Sequence, residues 1–133
     1  MHKFLILTIA VVTLTITSAC KSTPGQGGNA QIKGTYWERK HDAFFTYVTG
    51  RYPAVNKTVY LFFGDDTSPG MSANTNANGE FAFTYLRTGK YKVSIYNTRL
   101  ASATQSSQYP TETYAFLNSK NEIKDLGLDT INQ

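Results

Sequence analysis

The sequence predicts an all-β domain, an antiparallel β-sandwich of seven to eight short strands. Three observations predict it. Apolar and polar residues alternate with period two over several stretches. Gly, Asn and Pro punctuate those stretches. No stretch carries the 3.6-residue periodicity of an amphipathic helix. The chain has 133 residues, which allows one core and hardly two. Its 41% hydrophobic content is too high for a wholly disordered chain.

The elements follow in order. Residues 32–37 and 43–49 read as opening strands around a charged turn, Glu38-Arg39-Lys40-His41-Asp42, and residues 50–53 read as a bend. Residues 58–63 form the next strand, with Val59, Leu61 and Phe63 on one face and Tyr60 and Phe62 on the other. The run GDDTSPG, residues 64–70, breaks it. Asn76, Ala77, Asn78 and Gly79 make a turn, because Asn and Gly tolerate positive φ. After it, Phe81, Phe83 and Tyr85 alternate with Glu80, Ala82 and Thr84. Tyr91, Val93 and Ile95 then alternate with Lys90, Lys92 and Ser94. Arg87-Thr88-Gly89 connects these two strands as a hairpin. Residues 102–108 read as a polar loop. Residues 113–117 and 122–128 close the chain as strands, with 118–121 as their turn.

The N-terminal residues are not part of this domain. Lys3 is followed by an apolar run, residues 4–16, diluted by Thr8, Thr13 and Thr15. As a helix that run rises only about 20 Å, short of a hydrocarbon core of about 30 Å. A cleaved secretory signal fits it better than a membrane span. The stretch Ile16-Thr17-Ser18-Ala19-Cys20 resembles a bacterial lipobox, with Thr17 where that motif usually has Leu. The resemblance implies cleavage between Ala19 and Cys20, a diacylglyceryl thioether on the Cys20 sulfur, and a fatty acyl group such as palmitate on its new amino group. Two or three acyl chains anchor a protein stably, whereas one alone is marginal. Residues 21–30, KSTPGQGGNA, are rich in Gly, Pro, Ser and Gln and read as a flexible tether. The expected organisation is therefore a signal peptide over 1–19, the lipidated Cys and tether over 20–30, and the sandwich domain over 31–133. Lys21, where an Asp would hold an enterobacterial lipoprotein in the inner membrane, points to the outer membrane. Without an acidic export run after Cys20, its periplasmic face is expected.

Within the domain, Pro53, Val59 and Leu61 are followed by Asn78-Gly79-Glu80-Phe81-Ala82-Phe83, then Leu86, Gly89 and Tyr91-Lys92-Val93. This series, over residues 53–96, resembles the carboxypeptidase regulatory-like domain. The resemblance implies a transthyretin-like (prealbumin-like) sandwich and a non-catalytic accessory role. The segment 32–50 is longer than that family's usual opening strand, which predicts an added strand or hairpin.

Few residues offer chemistry. A single Cys excludes an intrachain disulfide framework and a Cys-rich zinc site. Of the two His, only His41 remains after signal cleavage, and among charged neighbours it reads as a solvated turn residue. No nucleophile–base pair or metal set is visible, so no enzyme, cofactor or metal is expected. Asp65 and Asp66, with Thr67, Ser68 and Asn74, supply oxygen atoms for Ca²⁺ without the spacing of a calcium loop; a solvated turn is the plainer reading. The net charge of +4 is no nucleic-acid signature. The surplus is aromatic, at 14%, and Tyr36, Trp37, Phe44, Phe45, Tyr47, Tyr52, Tyr60 and Phe62 crowd the first half. They pack a second layer or form a platform, with Trp37 and Tyr52 the candidate sugar-stacking pair. The reading that follows is a lipid-anchored, non-enzymatic envelope protein acting as scaffold or accessory for a protein partner. The alternative is a carbohydrate-binding lipoprotein that uses exposed aromatics.

Overall fold

The structure, a computed structural model, describes residues 22–102 and 105–132. Among these residues there are eight strands and no helix: β1 (Gln26–His41), β2 (Val48–Pro53), β3 (Thr58–Phe63), β4 (Met71–Asn74), β5 (Glu80–Leu86), β6 (Gly89–Ser102), β7 (Gln105–Leu117) and β8 (Ile123–Asn132). They form two four-stranded sheets. The first is built around β1, and the second has the order β4-β3-β6-β7. The sheets share one core, to which β1 gives Ala30, Ile32 and Tyr36, β3 gives Val59 and Leu61, β5 gives Phe81, Phe83 and Leu86, and β6 gives Tyr91, Val93 and Ile95. The all-β sandwich expected from the alternation is what these side chains build.

β1 organises the first sheet. One of its edges pairs antiparallel with β5 and then with β2, end to end. The change of partner falls at Tyr36. Its N–H donates to the Gly79 carbonyl at 2.8 Å, and its own carbonyl accepts from the Ala54 N–H at 2.9 Å. Gly79 has φ of 78°, and a Cβ there would lie 2.2 Å from the Tyr36 carbonyl oxygen, so only glycine fits the junction. The turn before β5 is closed by Asn76, whose Oδ1 accepts from the N–H groups of Asn78 and Glu80 at 2.9 Å each. Thr75 Oγ1 bonds the Ala54 carbonyl and accepts from the Lys57 N–H, which ties the β2–β3 connection to β4.

Several expectations are corrected. The sandwich is not wholly antiparallel: β8 lies parallel to the other edge of β1, from Gln31 beside Ile123 to Arg39 beside Asn132. The tether is shorter than expected. β1 starts at Gln26, and Ala30 is fully buried. Glycine and polar residues enter the sheet there because main-chain bonds hold them. The Arg87 N–H donates to the Gly25 carbonyl at 2.9 Å, and the Gly25 N–H donates to the Tyr91 hydroxyl at 2.8 Å. The charged segment 38–41 is the end of β1 rather than a turn. Residues 50–53 belong to β2 rather than to a bend, and the turn between these strands is 42–47. The polar stretch 105–108 pairs with β6 instead of looping. β4 was not anticipated. Tyr85 does not join Phe81 and Phe83 in the core. Its φ of 60° breaks the alternation, sends its ring into solvent and turns Leu86 inward.

Two predictions follow from the junction. Gly79→Ala meets a main-chain oxygen as well as an unfavourable φ, whereas Gly127→Ala, at φ of 75°, meets nothing within 4 Å. Urea titration should show a loss of about 3 kcal/mol for the first and about 1 kcal/mol for the second; equal losses would refute the packing argument. The Tyr36 phenol is held protonated, its pKa pushed up to about 12, by burial first and by the nearby Asp129 charge second. A raised pKa means that the native state keeps a proton that the unfolded chain releases above its ordinary value of 10.0. Stability from this group is thus complete below pH 10 and is lost as pH rises towards 12. That loss should be about 2–3 kcal/mol and absent from Tyr36→Phe. Parallel stability curves for the two proteins would show that Tyr36 does not titrate in this way.

Candidate functional site

The two ends of the sandwich differ. Residues 22–25 run against the start of β6 and the end of β3, beside Gly64, Gly89 and Lys90. The Tyr91 hydroxyl fastens them, donating to the Arg87 carbonyl at 2.7 Å while accepting from Gly25. At the other end two hairpins project beyond the core. The β1–β2 hairpin is closed by Asp42, whose Oδ1 accepts from Thr46 and Tyr47 N–H groups at 2.6 and 3.0 Å. Phe44 and Tyr47 stand exposed at its tip. The β6–β7 hairpin continues past Ile95, where pairing with β3 stops. Asn97 joins this end to the first sheet, because its Oδ1 accepts from the Asn132 N–H at 2.6 Å.

The outer face of the second sheet carries a set of rings and charges. Alternation places Tyr60 and Phe62 of β3, Lys90, Lys92 and Tyr96 of β6, and Glu112, Tyr114 and Phe116 of β7 on this one face. Tyr114 and Phe116 are each 53% exposed. Lys92 Nζ lies 4.4 Å from the centre of the Phe62 ring and 2.9 Å from Glu112 Oε1. Lys90 Nζ lies 5.4 Å from the Tyr114 ring and 2.6 Å from Asp65 Oδ1. That hydrogen bond and the paired charge hold the Asp65 carboxyl below its usual range and push the Lys90 ammonium up. Each lysine is thus pinned between an acid and a ring.

Above this region the face ends in an open groove of about 290 Å³. Tyr60 and Tyr96 meet edge to face at its floor, with ring centres 6.0 Å apart. Asn56, Gln108 and Asn132 bring amides to it, and Thr58 and Thr98 bring hydroxyls. Lys57 also borders the groove, with its ammonium 3.5 Å from the largely buried Glu38 carboxylate.

The residues singled out in the sequence fall in different places. Trp37 pairs with Pro53 and Tyr52 pairs with Glu38. Paired residues share a face and successive residues alternate, so Trp37 and Tyr52 project from opposite faces and form no stacking pair. Tyr52 instead lies under Lys40, 5.5 Å from ammonium to ring centre. His41 is in β1, stacked on Phe45 at 4.8 Å, rather than in a solvated turn. The oxygen atoms considered for calcium are not gathered: Asp65 takes Lys90, and the Asn74 amide donates to Asn56 Oδ1 at 3.2 Å. Among the described residues no three His, Cys, Asp or Glu side chains are grouped to hold a metal. Ala19, Cys20 and the signal segment lie outside the described residues. Sequence reasoning missed Tyr96, Tyr114 and Phe116. The alternation of Glu112, Tyr114 and Phe116 with Thr113, Ala115 and Leu117 was the available signal.

No protein-family model matches the chain. No curated protein matches it either. Among solved structures it is similar to a protein of Pseudomonas aeruginosa proposed to bind carbohydrate, at 17% identity and a TM-score of 0.49, covering 84% of this chain and 92% of that one.

Proposed function

We propose that this chain is a lipid-anchored, non-enzymatic protein of the cell envelope that holds a protein partner against the outer face of its second sheet. The observation that carries this reading is the patch of exposed Tyr114 and Phe116 beside the half-buried Phe62, interleaved with Lys90 and Lys92. Aromatic residues with charges held in place are the makings of a protein interface: the rings supply desolvated area at little entropy cost, and the charges set orientation. Two of the rings already have an ammonium against them, so they do not offer a sugar two open stacking faces. The stacking of His41 on the Phe45 ring supports a packing role for the imidazole. The lipobox-like Ile16-Thr17-Ser18-Ala19-Cys20 supports an acyl anchor. With the chain entering beside Tyr91, that anchor directs both hairpins away from the bilayer. The periplasmic face of the outer membrane is the location that Lys21 favours, and the family resemblance over residues 53–96 supports a transthyretin-like accessory module.

A photoreactive residue placed at position 116 of the lipidated chain in its own cells tests this. It should trap a discrete protein adduct, and the same residue at position 84, on the outer face of the first sheet, should trap none. Absence of an adduct at 116, or the same adduct from both positions, would refute the partner surface. Cys20→Ala should move the protein from the membrane pellet to the soluble fraction; a mutant that still sediments with salt-washed membranes would refute the anchor.

A further inference from the structure

We infer that the groove where β3 stops and the β6–β7 hairpin continues binds a neutral oligosaccharide. This goes beyond the protein-partner reading and uses a different part of the same sheet.

The groove exists because of strand lengths. β3 pairs with β6 only as far as Val59 beside Ile95, whereas β6 and β7 stay paired up to Ser102 beside Gln105. The missing strand leaves a notch along the exposed hairpin, and Asn56 and Asn132 reach it from neighbouring elements.

Its chemistry is that of a polyol site. The amides of Gln108 and Asn132 each carry a donor and an acceptor side by side, which matches the paired donor and acceptor character of adjacent sugar hydroxyls, while Asn56, whose Oδ1 accepts from the Asn74 amide, adds its NH₂ donors. Gln108 and Thr98 are cross-strand partners, so their polar groups stand together on one wall. The rings of Tyr60 and Tyr96 give an apolar floor for the C–H face of a sugar and carry hydroxyls of their own. Because the two rings meet at 84°, their packing is edge-on, and Tyr96 remains half exposed.

Charge and edge chemistry exclude the other occupants. Among the described residues no acid borders the groove and the one cation, Lys57, is set against Glu38 at 3.5 Å, so neither a cationic nor an anionic ligand is selected. An extended peptide would need free main-chain donors on β6. The Thr98 N–H is already bonded to Asn97 Oδ1 at 3.0 Å, and the same oxygen takes the Asn132 N–H at 2.6 Å.

The test uses the mature chain without its lipid and short oligomers of glucose, galactose, mannose and N-acetylglucosamine, with oligogalacturonate as the charged control. Amide chemical-shift mapping should show at least one neutral oligomer binding, with the largest shifts at Tyr96, Thr98, Gln108 and Asn132. Gln108→Ala and Tyr96→Ala should each weaken that binding by about tenfold or more with little change in thermal midpoint, because both side chains are on the solvent face. Tyr114→Ala, in the partner patch, should leave it unchanged, so this site and the protein surface fail separately. The inference is overturned if no neutral oligomer shifts these residues at millimolar concentration. It is equally overturned if oligogalacturonate binds better, or if binding survives both groove substitutions.

Discussion

The structure depends on one main-chain exchange at Tyr36. A strand of 16 residues spans about 50 Å, longer than either partner along its edge, so β1 has to pass from β5 to β2 without leaving a bare peptide. It does so within a single residue: the Tyr36 N–H bonds Gly79, and its carbonyl bonds Ala54. The Tyr36 ring meanwhile stacks against Phe81 in the core, with centres 5.3 Å apart. The same residue therefore fixes where β5 ends and β2 begins along β1, and its ring adds to the core side of that sheet. Gly79 is the condition for this, since no side chain can stand where the chain turns into β5.

What lies beyond the junction follows from that length. Past Arg39, where β8 ends, β1 and β2 continue as a two-stranded hairpin. On the second sheet β6 and β7 stay paired beyond Ile95, where β3 stops. Asn97 keeps the two projections in register with the body, bonding Thr111 Oγ1 through its amide nitrogen and Asn132 through its oxygen. The opposite end is compact and holds the incoming chain. The two ends thus differ: one receives residues 22–25, and the other carries the projecting hairpins with Phe44 and Tyr47 exposed at a tip.

The core was legible because its side chains had to alternate. Val59 and Leu61, Phe81 and Phe83, and Tyr91, Val93 and Ile95 declare both strand and face, and all are buried. The ribbons were not legible for the complementary reason. Residues 38–41 and 105–108 contribute no apolar side chain to the core, so they need no apolar period and charged or polar strand resembles loop. The start of β1 was hidden because Gln26, Gly27 and Gly28 carry no apolar signal, and its strand is held by main-chain partners. The site suffered most. Pairing Trp37 with Tyr52 required the β1–β2 register, and one residue of offset sends a side chain to the other face. The parallel placement of β8 likewise depends on which edge of β1 is free, which no local pattern records.

The outer face of the second sheet shows how one surface divides into two chemistries. Near the end that receives residues 22–25, Lys90 and Lys92 sit against rings because Asp65 and Glu112 hold them there. A partner that displaced those lysines would have to break an ion pair and a ring contact together. A protein that leaves them in place and packs on Tyr114 and Phe116 avoids that cost. Near the hairpins no cation lies over Tyr60 or Tyr96 among the described ring contacts, and amides replace acids as the neighbours. Charge holds the first region in shape. Strand length alone shapes the second, by ending β3 early. Two surfaces formed by independent causes can change independently, and neither change disturbs the exchange at Tyr36.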